Sequence, residues 1–279
     1  MSDKKLQIKD FEKNNYFATQ ELVDVVNAAL FLDKPLLIEG PAGTGKTYLA
    51  KSLSNMLSKE LIRLQCHEGI DEDKAIYEWD YKKQLLSIQN DKNEKDLFTD
   101  EYLIERPILK SLKTSDSLFL VDEIDRSDEE FEALLLEVLA EKQVTIPELG
   151  TVAGEGNNFT ILTSNATRDL SEALRRRCIY FFLDYPSIDI ETKVILGNVE
   201  SISEEKAKKY SLFSSFIRKL NLNKPPSLIE TVEWVKYNHE NNHGELDSNI
   251  GILIKDIDDQ KLYKEKLKEN NDFKNGSVT

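Results

Sequence analysis

Short apolar runs recur through the first two thirds of the chain and are flanked by polar or turn-forming residues. Runs of this length predict buried strands. Segments with helical periodicity lie between them, and strands that alternate with helices indicate an α/β fold with a mostly parallel, five-stranded sheet. The predicted strands are PLLIEG (35–40), LIRLQC (61–66), SLFLVD (117–122), FTILTSN (159–165) and IYFFLDY (179–185).

The clearest helical pattern covers residues 129–140, between the third and fourth predicted strands. Glu132 and Glu137 lie off its apolar face. Ser127, followed three residues later by Glu130, predicts a capping box at the start of this helix. The apolar face consists of Phe131, Leu134, Leu135 and Val138.

Strand-like runs stop after the Tyr185-Pro186 pair, and the rest of the chain has helical patterns. We therefore predict two domains, an α/β core over residues 1–186 and a small all-helical domain over residues 187–279. The helices expected in the second domain are 188–200, 204–220, 228–240 and 258–269.

Composition narrows the class of protein. The chain has 37 Lys and Arg against 51 Asp and Glu, a formal charge of −14, which disfavours nucleic acid as a main partner. Cys66 and Cys178 are too few and too far apart for a disulfide framework or a paired-cysteine zinc site, as expected in a reducing compartment. The polar start lacks the apolar run of a signal peptide, and no apolar stretch is long enough for a membrane span. We expect a cytoplasmic protein.

The stretch GPAGTGKT, from Gly40 to Thr47, matches the phosphate-binding pattern G-x-x-x-x-G-K-[ST] between a predicted strand and a predicted helix. Its glycines let backbone N–H groups converge on a phosphate at a helix N-terminus. Lys46 opposes the helix dipole there unless a bound phosphate reverses the local charge. The candidate nucleotide-binding residues are Gly40, Pro41, Ala42, Gly43, Thr44, Gly45, Lys46, Thr47 and Tyr48.

The third predicted strand, SLFLVD, ends in two adjacent acids, Asp122 and Glu123. Beside a phosphate loop, Asp122 is expected to hold Mg²⁺ together with the hydroxyl of Thr47. Glu123 is expected to polarise the water that attacks the γ-phosphate. ATP and Mg²⁺ are therefore the predicted cofactors, and hydrolysis of ATP is the predicted reaction.

Two other phosphate-loop classes fit the sequence less well. A GTP switch needs an N-K-x-D motif for the base, and the NKPP stretch at Asn223 lacks the aspartate. A small-molecule kinase has no use for a water-activating glutamate at the position of Glu123.

The chain resembles a known family, the MoxR-type AAA+ ATPases, over about residues 16 to 265. The resemblance lies in GPAGTGKT, LFLVDEIDRSDEEFEALLLEVLAEKQVTI and ILTSNATRDLSEALRRRC. The stretch LIRLQCHEGIDEDKAIYEWDYKKQLLSIQ is similar to the CoxD-like branch. That branch implies a ring ATPase acting as a chaperone in the maturation of a molybdenum- or copper-containing enzyme, often beside a von Willebrand factor A domain protein.

The resemblance also implies roles for single residues. Asn165 takes the sensor-1 position, which orients the water or touches the γ-phosphate. Arg176 takes the position of an arginine finger directed at a neighbouring subunit, with Arg177 as the next candidate and Arg126 as a weaker one. The family usually has a sensor-2 arginine early in a lid helix, whereas PPSLIETVEW has Glu230 there. The stretch 143–152 corresponds to a hairpin that faces a central pore.

These positions imply a homo-oligomeric ring, expected to be a hexamer. Two alternatives stay open. The stretch HENNH, with His239 and His243 four residues apart, would fit a zinc metalloprotease if it formed the middle of a helix. A nucleotide-dependent binding clamp with little turnover would fit the missing sensor-2 arginine.

Overall fold

The computed structural model describes residues 5–90, 96–154, 156, 158–241, 246 and 248–269. The chain divides into two compact units. The first comprises Met1–Asp10, Thr19–Gly40 and Lys46–Phe182, and the second comprises Phe11–Ala18, Pro41–Gly45 and Leu183–Thr279. The prediction of two folding domains that meet after residue 186 stays a prediction.

The first unit is built on a five-stranded parallel sheet with the order β2-β5-β8-β1-β9, as the apolar runs predicted. Two short antiparallel pairs, β3 with β4 and β6 with β7, lie outside it. The strands are β1 Leu36–Glu39, β2 Glu60–Gln65, β3 Tyr77–Trp79, β4 Leu103–Glu105, β5 Ser117–Asp122, β6 Gln143–Ile146, β7 Gly150–Ala153, β8 Phe159–Ser164 and β9 Ile179–Phe182.

Helices separate the strands of this sheet and cover them. Every residue of β1 and β5 is buried, which is the pattern of a parallel sheet covered on both faces. The helices up to β9 are α1 Ile8–Lys13, α2 Gln20–Phe31, α3 Lys46–Leu57, α4 Glu72–Ala75, α5 Tyr81–Asn90, α6 Pro107–Lys113, α7 Glu129–Glu141 and α8 Glu172–Arg177.

The start of α7 differs from the prediction. Asp128, not Ser127, is the N-cap, and its carboxylate accepts a hydrogen bond of 2.8 Å from the Phe131 N–H. The Ser127 hydroxyl instead donates to the Ile124 carbonyl and closes the short 3₁₀ turn before the helix. The capping box of Ser127 and Glu130 was therefore wrong, because the preceding turn engages the serine and leaves the next residue to cap.

The predicted hairpin is present as β6 and β7. Val144 and Ile146 are buried, whereas Thr145 between them is exposed, as the alternation indicated. The segment between β2 and β5 is irregular. Its described residues form β3, β4, α4, α5, α6 and a short 3₁₀ turn, and Trp79 of β3 packs edge-on against Phe98 with ring centroids 5.1 Å apart.

The second unit has its own apolar core, formed mainly by the last four helices. Trp234 is completely buried and stacks on Phe213 at 5.4 Å between ring centroids, while Tyr210 packs edge-on at 4.9 Å. The helices, close to their predicted bounds, are α9 Ile188–Asn198, α10 Glu204–Arg218, α11 Leu228–Glu240 and α12 Ile257–Glu269. None of the helices in the described segments is both long and apolar enough to cross a lipid bilayer.

Candidate functional site

The phosphate-binding pattern falls in the loop between β1 and α3, as predicted. Gly43 and Gly45 have φ angles of +74° and +98°, which side-chain-bearing residues rarely adopt. Gly43 is also crowded, because a Cβ there would lie 2.2 Å from the Cβ of Ser227. Its carbonyl accepts a 3.2 Å hydrogen bond from the Leu228 N–H, and within the loop the Thr44 hydroxyl donates to the Pro41 carbonyl at 3.0 Å. Glycine is therefore required at position 43 for both conformation and space.

Lys46 begins α3, and its side chain turns back toward the residue that follows β1. The Lys46 Nζ donates to the Gly40 carbonyl at 2.7 Å, and the residue is only 6% exposed. Burial lowers the pKa of the Lys46 amine to about 8, although three nearby carboxylates work in the opposite direction. These carboxylates belong to Asp125, Asp122 and Glu123. A bound phosphate would add further negative charge beside this buried cation and favour the charged form of the amine.

Asp122 lies at the end of β5 and is 2% exposed. The Thr47 hydroxyl donates to both of its carboxylate oxygens, at 3.0 Å to Oδ1 and 3.2 Å to Oδ2. Thr163 of β8 donates to Oδ1 at 2.5 Å, and the Arg63 guanidinium binds Oδ2. A hydroxyl and a carboxylate this close provide the hard oxygen ligands that Mg²⁺ prefers.

Glu123 follows β5 directly and has a left-handed backbone, with φ 58° and ψ 49°. This conformation is uncommon for a glutamate and turns the chain at the strand end. The Glu123 N–H donates to the Thr163 hydroxyl at 3.0 Å. The carboxylate accepts hydrogen bonds from the Gln65 amide at 2.9 Å and from Arg126 at 3.3 Å. The two adjacent acids are thus held by different partners.

Asp125 is a buried carboxylate that the sequence prediction did not include. It accepts hydrogen bonds from the Asn165 N–H at 3.1 Å, the Thr167 N–H at 3.1 Å and the Thr167 hydroxyl at 2.6 Å. Burial alone raises the pKa of this carboxyl, but the hydrogen bonds from Thr167 and Asn165 bring it below its ordinary value. Asp125 therefore fixes the backbone at Asn165, beyond the end of β8.

Two of the predicted arginines, Arg176 and Arg177, lie on the six-residue helix α8, whereas Arg126 lies in the short 3₁₀ turn after β5. Arg176 is exposed and pairs with Glu172 on the same helix, while Arg177 donates to the Ala173 carbonyl at 3.5 Å. Neither contacts the acids at the end of β5. The preceding Arg175 instead pairs with the buried carboxylate of Glu39 at 3.0 Å.

The helical unit has Glu230 where the resembled family usually has an arginine. The Glu230 carboxylate accepts from the Ser227 N–H at 2.7 Å in the capping box of α11, and it pairs with Lys255 at 2.8 Å. A buried arginine of this unit, Arg218, is fully engaged with Glu191 at 2.7 and 2.9 Å. Both residues therefore have structural partners.

The zinc alternative receives no support from the described part of the chain. His239 lies in the last turn of α11, and its Nδ1 is 3.3 Å from the Lys206 Nζ. His243 lies outside the described residues. Within the residues that are described, no group of three or more His, Cys, Asp or Glu side chains could hold a metal ion.

Comparison with known proteins places this geometry in a family. The family model for the AAA domain (dynein-related subfamily) matches residues 35–178, from the start of β1 to the end of α8. Two uncharacterized staphylococcal proteins are similar in sequence. The one from Staphylococcus epidermidis is 28% identical over 182 residues, covering 63% of this chain and 65% of the relative. The one from Staphylococcus saprophyticus is 25% identical over 211 residues, covering 73% and 76%.

A solved structure gives the same picture of the fold. The crystal structure of a candidate ATPase from Cytophaga hutchinsonii superposes with a TM-score of 0.50 at 18% identity, covering 76% of this chain and 66% of that chain. The chain thus spans just under two thirds of the S. epidermidis relative and of this structural neighbour. Because the family model matches more than half of its length, the chain belongs to the AAA domain family, in the dynein-related subfamily.

Proposed function

We propose that the protein binds Mg-ATP at the loop between β1 and α3 and hydrolyses it. Membership of the AAA family supports this activity. The observation that carries the proposal is the meeting of two pairs of neighbouring residues that are distant from each other in sequence. Lys46, Thr47, Asp122 and Glu123 all belong to the first unit, and the Thr47 hydroxyl lies 3.0 Å from the Asp122 carboxylate.

Each of these side chains has a distinct role in the proposal. Lys46 neutralises phosphate charge, and Thr47 and Asp122 hold the metal ion. Mg²⁺, when bound, supplies charge neutralisation at the phosphate oxygens. Glu123 accepts a proton from the attacking water. Asn165 follows β8, the strand that pairs with β5, and Asp125 fixes its backbone. In the proposal, its side chain contacts the attacking water or the γ-phosphate.

The experiment compares the purified protein with its Glu123→Gln and Lys46→Ala variants. Glu123→Gln keeps the shape and removes the base, so ATP should bind with unchanged affinity while phosphate release falls about 100-fold or more. Lys46→Ala should weaken ATP binding itself. Phosphate release at the wild-type rate by Glu123→Gln would show that the base is assigned to the wrong residue.

The proposal extends to a ring, expected to be a hexamer, in which one subunit completes the site of the next. Lys46 donates to the Gly40 carbonyl at 2.7 Å, whereas Arg176 is exposed on α8. The transition state of phosphoryl transfer spreads charge over three oxygens, and an arginine supplied in trans contributes about 10³–10⁵ in rate. We infer that Arg176, with Arg177 as the alternative, serves the neighbouring subunit.

Mixing two inactive variants tests the ring. Arg176→Ala subunits should bind ATP without hydrolysing it, and Lys46→Ala subunits should be equally inactive. Their mixture should regain activity, because some interfaces then join an intact loop to an intact arginine. Lack of recovery in subunits that demonstrably co-assemble would contradict the role of Arg176.

The finer assignment is a MoxR-type, CoxD-like ATPase that remodels a protein partner, and it rests on sequence resemblance alone. A molybdenum- or copper-containing enzyme and a von Willebrand factor A domain protein are the partners that it suggests. Purification of the Glu123→Gln protein from its native cell in ATP, with Lys46→Ala as the control, should trap the partner. Recovery of the same proteins by both variants would contradict an ATP-dependent interaction.

A further inference from the structure

Arg63 of β2 forms an ion pair with Asp122 at the proposed metal position. Its Nε and Nη2 donate to the same carboxylate oxygen, Oδ2, at 3.0 and 2.6 Å. Parallel pairing of β2 with β5 places Arg63 opposite Leu120, two residues before Asp122. The guanidinium therefore reaches along the sheet toward the carboxyl end of β5.

The two oxygens of this carboxylate have different surroundings. Oδ1 accepts hydrogen bonds from the hydroxyls of Thr163 and Thr47, at 2.5 and 3.0 Å. Both hydroxyls are on short, buried or half-buried side chains that β8 and α3 hold in place. Oδ2 accepts from Thr47 only at 3.2 Å and otherwise from Arg63. Oδ2 is thus the oxygen whose main partner is a cation.

The two members of this ion pair differ in exposure. The Asp122 side chain is 3% exposed, whereas the Arg63 side chain is 46% exposed. A buried carboxylate is costly without a positive partner, so Asp122 needs a cation at all times. A half-exposed arginine can move its charged end into water at little cost. Its Nη2 also contacts the Gln65 Oε1, which gives the guanidinium a second acceptor away from Oδ2.

We propose that Arg63 competes with the Mg²⁺ of the bound nucleotide for Asp122, and so sets the magnesium affinity of the site. The inference rests on the proposed Mg-ATP function and adds a positioning residue to it. A guanidinium and a divalent cation on one carboxylate oxygen would repel each other, so Arg63 would have to leave Oδ2 for Asp122 to hold the ion there. Arg63 keeps the buried carboxylate paired until that exchange.

The test measures magnesium affinity instead of turnover. Melting temperatures of wild type and Arg63→Gln are recorded at a fixed, saturating ADP concentration while Mg²⁺ is titrated. The half-saturating Mg²⁺ concentration should fall about three- to tenfold in Arg63→Gln, because tenfold corresponds to about 1.4 kcal/mol, which lies between the values typical of exposed and of buried ion pairs. The variant should also lose more stability without Mg²⁺ than with it.

Two further variants separate competition from other effects. Arg126→Gln makes the same change of charge at a half-exposed arginine that contacts Glu123, not Asp122. Its half-saturating Mg²⁺ concentration should stay within about twofold of wild type. Arg63→Lys keeps a cation but loses the pair of hydrogen bonds from two nitrogens to Oδ2. Its half-saturating Mg²⁺ concentration should therefore lie between those of wild type and Arg63→Gln. If Arg63→Gln does not fold, Arg63→Lys is compared with wild type instead.

Several results would overturn the inference. Unchanged or weaker magnesium affinity in both Arg63 variants would mean that Arg63 only supports the structure around Asp122. An equal gain in magnesium affinity in Arg126→Gln would mean that any lost positive charge near the site has this effect, and that the contact of Arg63 with Asp122 is not its cause. A wild type that melts at the same temperature with and without Mg-ADP would contradict the proposed function as well, whereas a clear Mg-ADP shift with no effect of Arg63 would contradict this inference alone.

Discussion

The substitution Lys46→Met is expected to stabilise the nucleotide-free protein although it removes the proposed contact to the phosphates. Burial lowers the pKa of the Lys46 amine from 10.5 to about 8. A shift of this size corresponds to about 3 kcal/mol by which the folded protein disfavours the charged amine. Solvent screening reduces this value, and methionine loses the hydrogen bond to the Gly40 carbonyl, worth about 1 kcal/mol. A net gain of about 1–2 kcal/mol is expected at pH 7.

The sign of the pH dependence follows from the same shift. Between about pH 8 and 10.5 the unfolded chain keeps the Lys46 proton and the folded protein releases it. The wild type therefore gains stability with rising pH in this window, and below pH 8 the full penalty of the charged amine is present. The advantage of Lys46→Met should be constant below pH 8 and decline as the pH rises toward 10.5.

Urea denaturation followed by circular dichroism, at several pH values from 7 to 10, measures this difference. Lys51→Met is the matched control, because Lys51 is an exposed lysine on the same helix, α3. It should stay within about 0.5 kcal/mol of wild type at every pH. A Lys46→Met protein that is no more stable than wild type at pH 7, or whose gain does not change with pH, would refute the account of Lys46.

Three further predictions concern stability and reactivity. Arg218→Met leaves the fully buried Glu191 carboxylate without its partner and should lower the free energy of unfolding by about 3–5 kcal/mol, measured in urea; a change below 1 kcal/mol would argue against a tight buried pair. Gly43→Ala adds a Cβ against Ser227 at a φ of +74° and should lower stability by about 1–3 kcal/mol, so an unchanged melting temperature would contradict the crowding. Burial raises the pKa of the Cys66 thiol to about 12, so iodoacetamide at pH 8 should label it only after denaturation, as intact-protein mass spectrometry would show; rapid labelling of the native protein would be inconsistent with this burial.

The sheet was predictable because its signal is local. Each strand, such as β5, is a continuous apolar run whose ends are marked by polar residues, and burial on both faces leaves little ambiguity. The pair β3 and β4 was not predicted, since its strands have three residues each and only one of their six side chains, that of Trp79, is buried. Strands this short leave no periodic pattern in the sequence.

The candidate site was predictable only where a motif fixed it. Asp122 and Glu123 stand out because two acids end an apolar strand after a phosphate loop. Arg63, Gln65 and Asp125 reach the site through hydrogen bonds between different strands and loops, and no spacing in the sequence reports such contacts. The sequence gives one indication of their role, which is that they lie near the carboxyl ends of predicted strands. These ends meet at one edge of a parallel sheet.

A single-turnover experiment most directly tests the central claim, that the protein hydrolyses ATP with Glu123 as the base. Radiolabelled ATP is bound in the presence of Ca²⁺ or without metal, excess unlabelled ATP and Mg²⁺ are added together, and the bound nucleotide is analysed over time. The wild type should convert its bound ATP to ADP, whereas Glu123→Gln, loaded to the same level, should retain ATP at least 100 times longer. Equal rates of conversion in the two proteins, or a wild type that binds ATP and never forms ADP, would contradict the account.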